Sequence, residues 1–206
     1  MIISTLHKFV FVAIPKTGTH AVRRALREHM GPQDMEQVGL FVQRQLPIPA
    51  LAQIGHGHIT LEQLRPFVNP EQFAAFFKFA FVRNPFDRFV SYASFITREV
   101  GHFERDPKKV MRHFLANPPM DHILFRPQHE FVTDAQGNLL TDYIGRVEKM
   151  QQSYVEIAAR IGIPSTVLEK VNASKRRDYR EYYDQELIDG VAKLYARDLE
   201  LFGYEF

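Results

Sequence analysis

Five consecutive positions, Lys16-Thr17-Gly18-Thr19-His20, set an amine, two hydroxyls and an imidazole around one glycine, directly before a stretch of helical periodicity. That set suits a phosphate. A helix start offers unpaired N–H groups and a partial positive charge. Glycine lets the backbone wrap closely, and lysine adds a mobile point charge. A plain strand-to-helix turn with Thr19 as its cap is the alternative. The kinase-type loop G-x-x-x-x-G-K-[ST] is excluded, because Lys16 precedes Gly18 and no Ser or Thr follows a Gly-Lys pair to hold magnesium.

Two further groups carry chemistry. Arg83 and Ser91 can converge on one phosphate, a guanidinium fork and one hydroxyl; the alternative is an Arg83–Asp87 ion pair with a solvated serine. His56-Gly57-His58 offers an imidazole of ordinary pKa near 6.5, suited to taking a proton from a hydroxyl. The two histidines can also be read as metal ligands or as structural loop residues. No third ligand stands at a convincing spacing, and there is no cysteine.

The elements that must position these residues follow from hydrophobic pattern. Lys8 to Ile14 is a nearly continuous apolar run, read as a buried strand. From His20 to Met30, Val22, Ala25, Leu26 and Met30 form an apolar face, with Arg23, Arg24, Arg27 and Glu28 on the polar side and Gly31-Pro32 as the stop. Residues 33–50 show no period and read as an irregular connection. Thr60 and Gln63 form a capping-box pattern for a short helix to Phe67, and another short helix starts near Pro70. Phe76 to Val82 is a second buried strand. Asn84 and Pro85 then cap and open a helix to about Glu99, with Phe86, Phe89, Val90, Ala93 and Ile96 inward.

Beyond residue 106 the helical pattern is broken by Pro118-Pro119 and Pro127. A hairpin is expected around Gln136-Gly137-Asn138, a strand over Tyr143–Val147, a helix over Gln151–Ile161 and a last helix over about Asp184–Leu201. The alternation predicts an α/β fold around a central parallel sheet flanked by helices, in one domain over 1–206.

Bulk properties narrow the partners. A net charge of +2 without a basic tail argues against nucleic acid. No stretch is apolar enough to span a membrane, and Met1–Phe9 lacks the layout of a signal peptide, so the expectation is cytoplasmic.

Two segments in this order carry a family resemblance. Ile14-Pro15-Lys16-Thr17-Gly18-Thr19 resembles the 5'-phosphosulfate loop of sulfotransferases that use 3'-phosphoadenosine 5'-phosphosulfate (PAPS). Phe81-Val82-Arg83-Asn84-Pro85, continuing to Ser91-Tyr92, resembles their 3'-phosphate motif. Arg126-Pro127-Gln128, Asp142 to Glu148, Asn172-Ala173-Ser174 and Tyr195 to Tyr204 resemble the branch of Golgi carbohydrate sulfotransferases and bacterial relatives. The resemblance implies a P-loop-like three-layer fold, PAPS as donor and PAP (3'-phosphoadenosine 5'-phosphate) as product, no metal, and a hydroxyl acceptor, most readily a carbohydrate. It assigns Lys16, Thr17, Gly18, Thr19 and His20 to the 5'-phosphosulfate, Arg83 and Ser91 to the 3'-phosphate, and Lys175, with Arg176 and Arg177, to a basic loop near the cofactor. His56-Gly57-His58 resembles the catalytic stretch of carbohydrate 2-O-sulfotransferases, with His58 as base, His56 in support and Lys16 at the leaving group. Two features depart from the pattern. His20 stands where relatives carry Thr or Ser, and Met1–Phe9 does not resemble the membrane anchor of the Golgi enzymes. Rival readings are a small-molecule kinase needing magnesium and a non-catalytic nucleotide-binding protein. Tyr92, Phe95, Phe103 and Phe125 suit either sugar stacking or core packing.

Overall fold

The computed structural model describes residues 1–40, 42–169 and 177–206. The chain forms two compact units, one of residues 1–82 with 128–169, the other of 83–127 with 177–206.

The first unit is a mixed α/β body. Its strands are β1 (Ile2–Ser4), β2 (Phe9–Val12), β3 (Met35–Glu36), β4 (Val38–Leu40), β5 (Val42–Arg44), β6 (Phe77–Val82) and β7 (Tyr143–Arg146). Its helices are α1 (Thr19–Arg27), α2 (Pro49–Ala52), α3 (Leu61–Leu64), α4 (Pro70–Ala75) and α8 (Met150–Ile161). The main sheet runs β3-β1-β2-β6-β7, and β4-β5 form a separate ladder.

Strands β2, β6 and β7 are parallel neighbours, as the alternation of elements predicts. The other side of the sheet departs from that expectation: β1 pairs antiparallel with both β2 and β3. The physical reason is connection length. Thr5–Lys8 is too short for a crossover, so Ile2–Ser4 can return only antiparallel. Register Val12↔Ala80 between β2 and β6 makes the chain leave both strands at the same end of the sheet, where open α/β sheets bind ligands.

Strand β2 is apolar at every position because water reaches neither face. Phe9 and Phe11 stack with Phe79 of β6 at centroid distances of 5.7 and 5.3 Å. Val22, Ala25 and Leu26 of α1 and Tyr154, Ile157, Ala158 and Ile161 of α8 complete that core. The alternate residues Val10, Val12, Ala80 and Val82 are buried too. The Thr60–Gln63 capping box forms reciprocally, at 3.0 Å in each direction.

The second unit holds α5 (Pro85–Thr97), α6 (His102–Arg105), α7 (Pro107–Ala116), α9 (Gln185–Leu194) and α10 (Ala196–Phe202). Asn84 caps α5 as expected, its Oδ1 accepting from Phe86 N at 3.0 Å with Pro85 in the first turn. Phe86, Phe89, Val90 and Ala93 point inward, but Ile96 is exposed: the buried stripe continues from Ala93 to Thr97, and Ile96 falls off its edge.

The single last helix expected to Leu201 is two. Tyr195 leaves helical geometry (φ −113°), with its hydroxyl donating to the Phe125 carbonyl at 2.8 Å, and the break brings Asp198 into the interior. Tyr92, Phe103 and Phe125 are core residues of this unit, so packing and not sugar stacking explains them. The aperiodic stretch 33–50 contains β3, β4, β5 and α2, strands of two or three residues that are too short to show a period. The hairpin around Gly137 reduces to one bridge, Thr133↔Leu139, with Asp134 accepting three hydrogen bonds across the turn.

Candidate active site

Strand β2 ends at Val12, and the chain turns sharply before α1. Lys16 lies in the left-handed region (φ +66°), as does Gly18 (φ +71°). A left-handed lysine costs about 1–2 kcal/mol, which glycine avoids. The Thr17 hydroxyl is fully buried and donates to the Ile14 carbonyl at 2.9 Å. Its proton therefore staples the loop shut, and an anion contact from Thr17 would come through its backbone N–H. Gly18, not Thr19, is the residue preceding α1, and no side chain caps that start.

His20 is half-buried. Burial, followed by the charges of Arg23, Arg27 and Lys16, lowers its pKa, so it is a neutral donor or acceptor near pH 7.

His58 is tied to the root of the same loop. Its Nδ1 lies 2.6 Å from the carbonyl oxygen of Ala13, the first residue after β2. A carbonyl only accepts, so Nδ1 carries the proton and Nε2 keeps its lone pair. Burial lowers the pKa of His58 to about 3; the Ala13 bond opposes this, and the Met1 ammonium, Arg23 and His56 add to it. His56 supports the turn, its Nδ1 accepting from the His58 backbone N–H at 3.3 Å.

Gly57, between the two histidines, sits where no side chain fits. A Cβ there would stand 2.2 Å from the Gln37 carbonyl oxygen and 2.6 Å from Arg23 Nη2. Gly57→Ala is expected to destabilise the protein by about 1–3 kcal/mol, the cost of overpacking. It should also displace His58, seen as a lower Tm together with loss of the Nδ1–Ala13 bond by imidazole NMR.

Beneath this segment lies a buried charge network. Arg23 donates to Glu36, to the Gln37 carbonyl and to the Gly57 carbonyl at 2.9, 3.0 and 3.1 Å. The Met1 ammonium donates to the same two carbonyls at 3.2 and 2.5 Å. Arg27 grips both oxygens of Glu36 at 2.8 and 2.9 Å, and Arg44 adds a longer contact of 3.4 Å. Burial alone would raise the Glu36 pKa, but the hydrogen bonds of Arg27 and Arg23 outweigh it and hold the carboxylate ionised. Burial lowers the pKa of the Met1 amine well below its usual value, so the balance is one carboxylate against the guanidiniums of Arg23, Arg27 and Arg44; the charges of Arg23 and Arg27 reach His20 of the loop, which suits an anionic ligand.

A family model described as Sulfotransferase family matches residues 1–205. The chain belongs to the sulfotransferase family. No curated protein and no solved structure matches it.

For this sulfotransferase, Lys16, Thr17, Gly18, Thr19 and His20 all lie in the first unit, and so do His58, bonded to Ala13 three residues before Lys16, and His56, bonded to His58. Arg83 and Ser91 belong to the second unit. There Arg83 Nε and Nη2 both reach Asp87 Oδ2, at 2.7 and 2.6 Å, so the ion pair considered from the sequence is formed. Ser91 is half-buried on α5. Lys175 and Arg176 lie outside the described residues, while Arg177 is exposed and pairs with Glu181. Among the described residues no cluster of three or more metal-ligating side chains occurs, and no helix is long and apolar enough to cross a membrane.

Three residues of the candidate site escape sequence reasoning: Ala13, Arg23 and Glu36. Arg23 was expected on the polar face of α1 but is buried, because Glu36 and two carbonyls outside the helix receive its donors. A charged residue beside Val22 carries no local sign of that.

Proposed function

We propose that this sulfotransferase acts as one domain to transfer a sulfuryl group from PAPS to an acceptor hydroxyl, on a carbohydrate, with His58 as general base. The observation that carries the reading is the 2.6 Å bond between His58 Nδ1 and the Ala13 carbonyl: it leaves Nε2 as the proton-accepting nitrogen of a ring held where β2 gives way to the loop. The donor set fits an anionic donor: Lys16, neutral His20 and the cationic network behind them. A P-loop-like three-layer arrangement is the fold this reading expects.

Bound PAPS supplies the sulfuryl group, the bond from sulfur to the bridging oxygen breaking as the bond to the acceptor oxygen forms. Such transfer passes through a loose transition state and depends on positioning and charge stabilisation. His58 Nε2 takes the acceptor proton. Lys16 and the N–H groups of the loop neutralise charge that grows toward the leaving phosphate. In the second unit, Arg83, oriented by Asp87, and Ser91 hold the 3'-phosphate; Lys175 adds charge from the basic loop.

Calorimetric titration of PAP against AMP and ATP–Mg²⁺ tests the donor. Selectivity for PAP is expected. Arg83→Ala should weaken PAP binding by roughly 10- to 100-fold, since hydrogen bonds to charged groups contribute about 1.5–3 kcal/mol. It should leave AMP unchanged. Preference for ATP–Mg²⁺ with indifference to PAP would replace this reading with that of a kinase.

A further inference from the structure

The segment bearing His58 is fastened on both flanks of the anion loop. Before the loop, the Ala13 carbonyl holds the imidazole through Nδ1. After it, Arg23 of α1 reaches back to the Gly57 carbonyl, the residue next to His58. Gly57 has no Cβ, and one placed there would lie 2.6 Å from Arg23 Nη2, so the guanidinium occupies the space a side chain would take.

Charge balance does not require this arginine. Arg27 alone satisfies both oxygens of Glu36, at 2.8 and 2.9 Å. A buried guanidinium is costly to desolvate, and exchanging such groups for apolar ones is often neutral or stabilising. What Arg23 does that an apolar side chain cannot is link three acceptors, on Glu36, Gln37 and Gly57, through one planar fork.

We infer that Arg23 is a positioning residue for His58: its fork ties the Gly57 carbonyl, which the Met1 amine also bonds, to α1, so that the imidazole meets Ala13 through Nδ1 and keeps Nε2 as the proton acceptor. The inference rests on the reading of His58 as base only for its catalytic meaning. The geometry it asserts can be tested without turnover. The titratable and charged groups facing His58 are the Met1 amine, whose pKa burial lowers well below its usual value, then Arg23 and His56, with Glu36 and Arg27 behind Arg23. Removing Arg23 takes away one cation that disfavours imidazolium, so the His58 titration moves upward in pH.

Arg23→Met keeps the bulk and leaves Glu36 paired with Arg27. Arg23→Lys keeps the charge but not the fork, and serves if the methionine variant does not fold. Nitrogen-resolved imidazole NMR on the full chain reads the His58 tautomer, and calorimetry with PAP checks that the loop survives. The wild type should show the Nδ1–H tautomer. Arg23→Met should raise the minor Nε2–H form roughly tenfold, about the weight of one net hydrogen bond. Arg23→Lys should restore the titration midpoint more fully than the tautomer, and PAP affinity should stay within about threefold, well below the effect of losing a direct charged contact. A folded Arg23→Met, or failing that Arg23→Lys, with the wild-type tautomer would overturn the inference whatever its midpoint, since loss of the cation alone shifts the midpoint. Full turnover in His58→Ala would instead remove the base reading and leave the positioning result standing.

Discussion

On the proposed function, His58→Ala should lower sulfuryl transfer from labelled PAPS to an acceptor hydroxyl by about 10²- to 10⁴-fold, the usual contribution of a positioned general base. The hydroxyl nucleophile keeps its proton until a base removes it, and Nε2 is the lone pair left available by the Nδ1–Ala13 bond. The pH profile sharpens the prediction. A base works deprotonated, so activity falls only below its pKa. Burial, reinforced by the Met1 ammonium, Arg23 and His56, puts that pKa at about 3. The acid limb attributable to His58 should therefore lie far below the value near 6.5 of an unperturbed imidazole. Steady activity from pH 7 down to about pH 5 is expected, as long as the protein remains folded. A limb near 6.5 that disappears in His58→Ala would show an imidazole titrating as in water and contradict the lowered pKa of this half-buried ring. His56→Ala should cost no more than about tenfold, because His56 contributes one hydrogen bond of 3.3 Å to the turn.

Lys16 carries the second large effect. The proposed function gives its amine the charge that develops as PAP leaves, and removing one such stabilising donor typically costs about 10²- to 10³-fold in kcat. Lys16→Ala should show that loss. Lys16→Gly separates catalysis from folding. The native φ of +66° strains any side chain, so glycine relieves about 1–2 kcal/mol. Its greater unfolded-state entropy returns about 0.5–1 kcal/mol of that. The glycine variant should therefore melt no lower than the wild type while turnover falls as far as in Lys16→Ala. A glycine variant that keeps wild-type kcat would remove Lys16 from the leaving-group role. Strain held at a residue that does chemistry is a recognised pattern at active sites, and here its release and the loss of activity should coincide.

Much of the site's framework is legible locally. The run from Lys8 to Ile14 predicts β2, and Asn84-Pro85 predicts the start of α5 to the residue. Thr60 and Gln63 predict their reciprocal cap. These signals involve neighbours within one turn or one strand, where backbone propensity and burial period act directly. The paired motifs at Lys16 and Arg83 point to the family that the match over residues 1–205 shows.

By itself, then, the sequence determined the strand-loop-helix opening, the candidate anion loop, the His-Gly-His segment and membership of the sulfotransferase family. The tertiary structure alone decided that Arg23 is buried, that β1 runs antiparallel, that Thr17 spends its hydroxyl on Ile14, and that His58 presents one defined tautomer. The reason is separation along the chain. Arg23 meets Glu36 13 residues away and Gly57 34 away, and His58 meets Ala13 45 away. No periodicity or capping rule reaches that far. A buried arginine and a solvated one look alike until the fold brings the carbonyls to it.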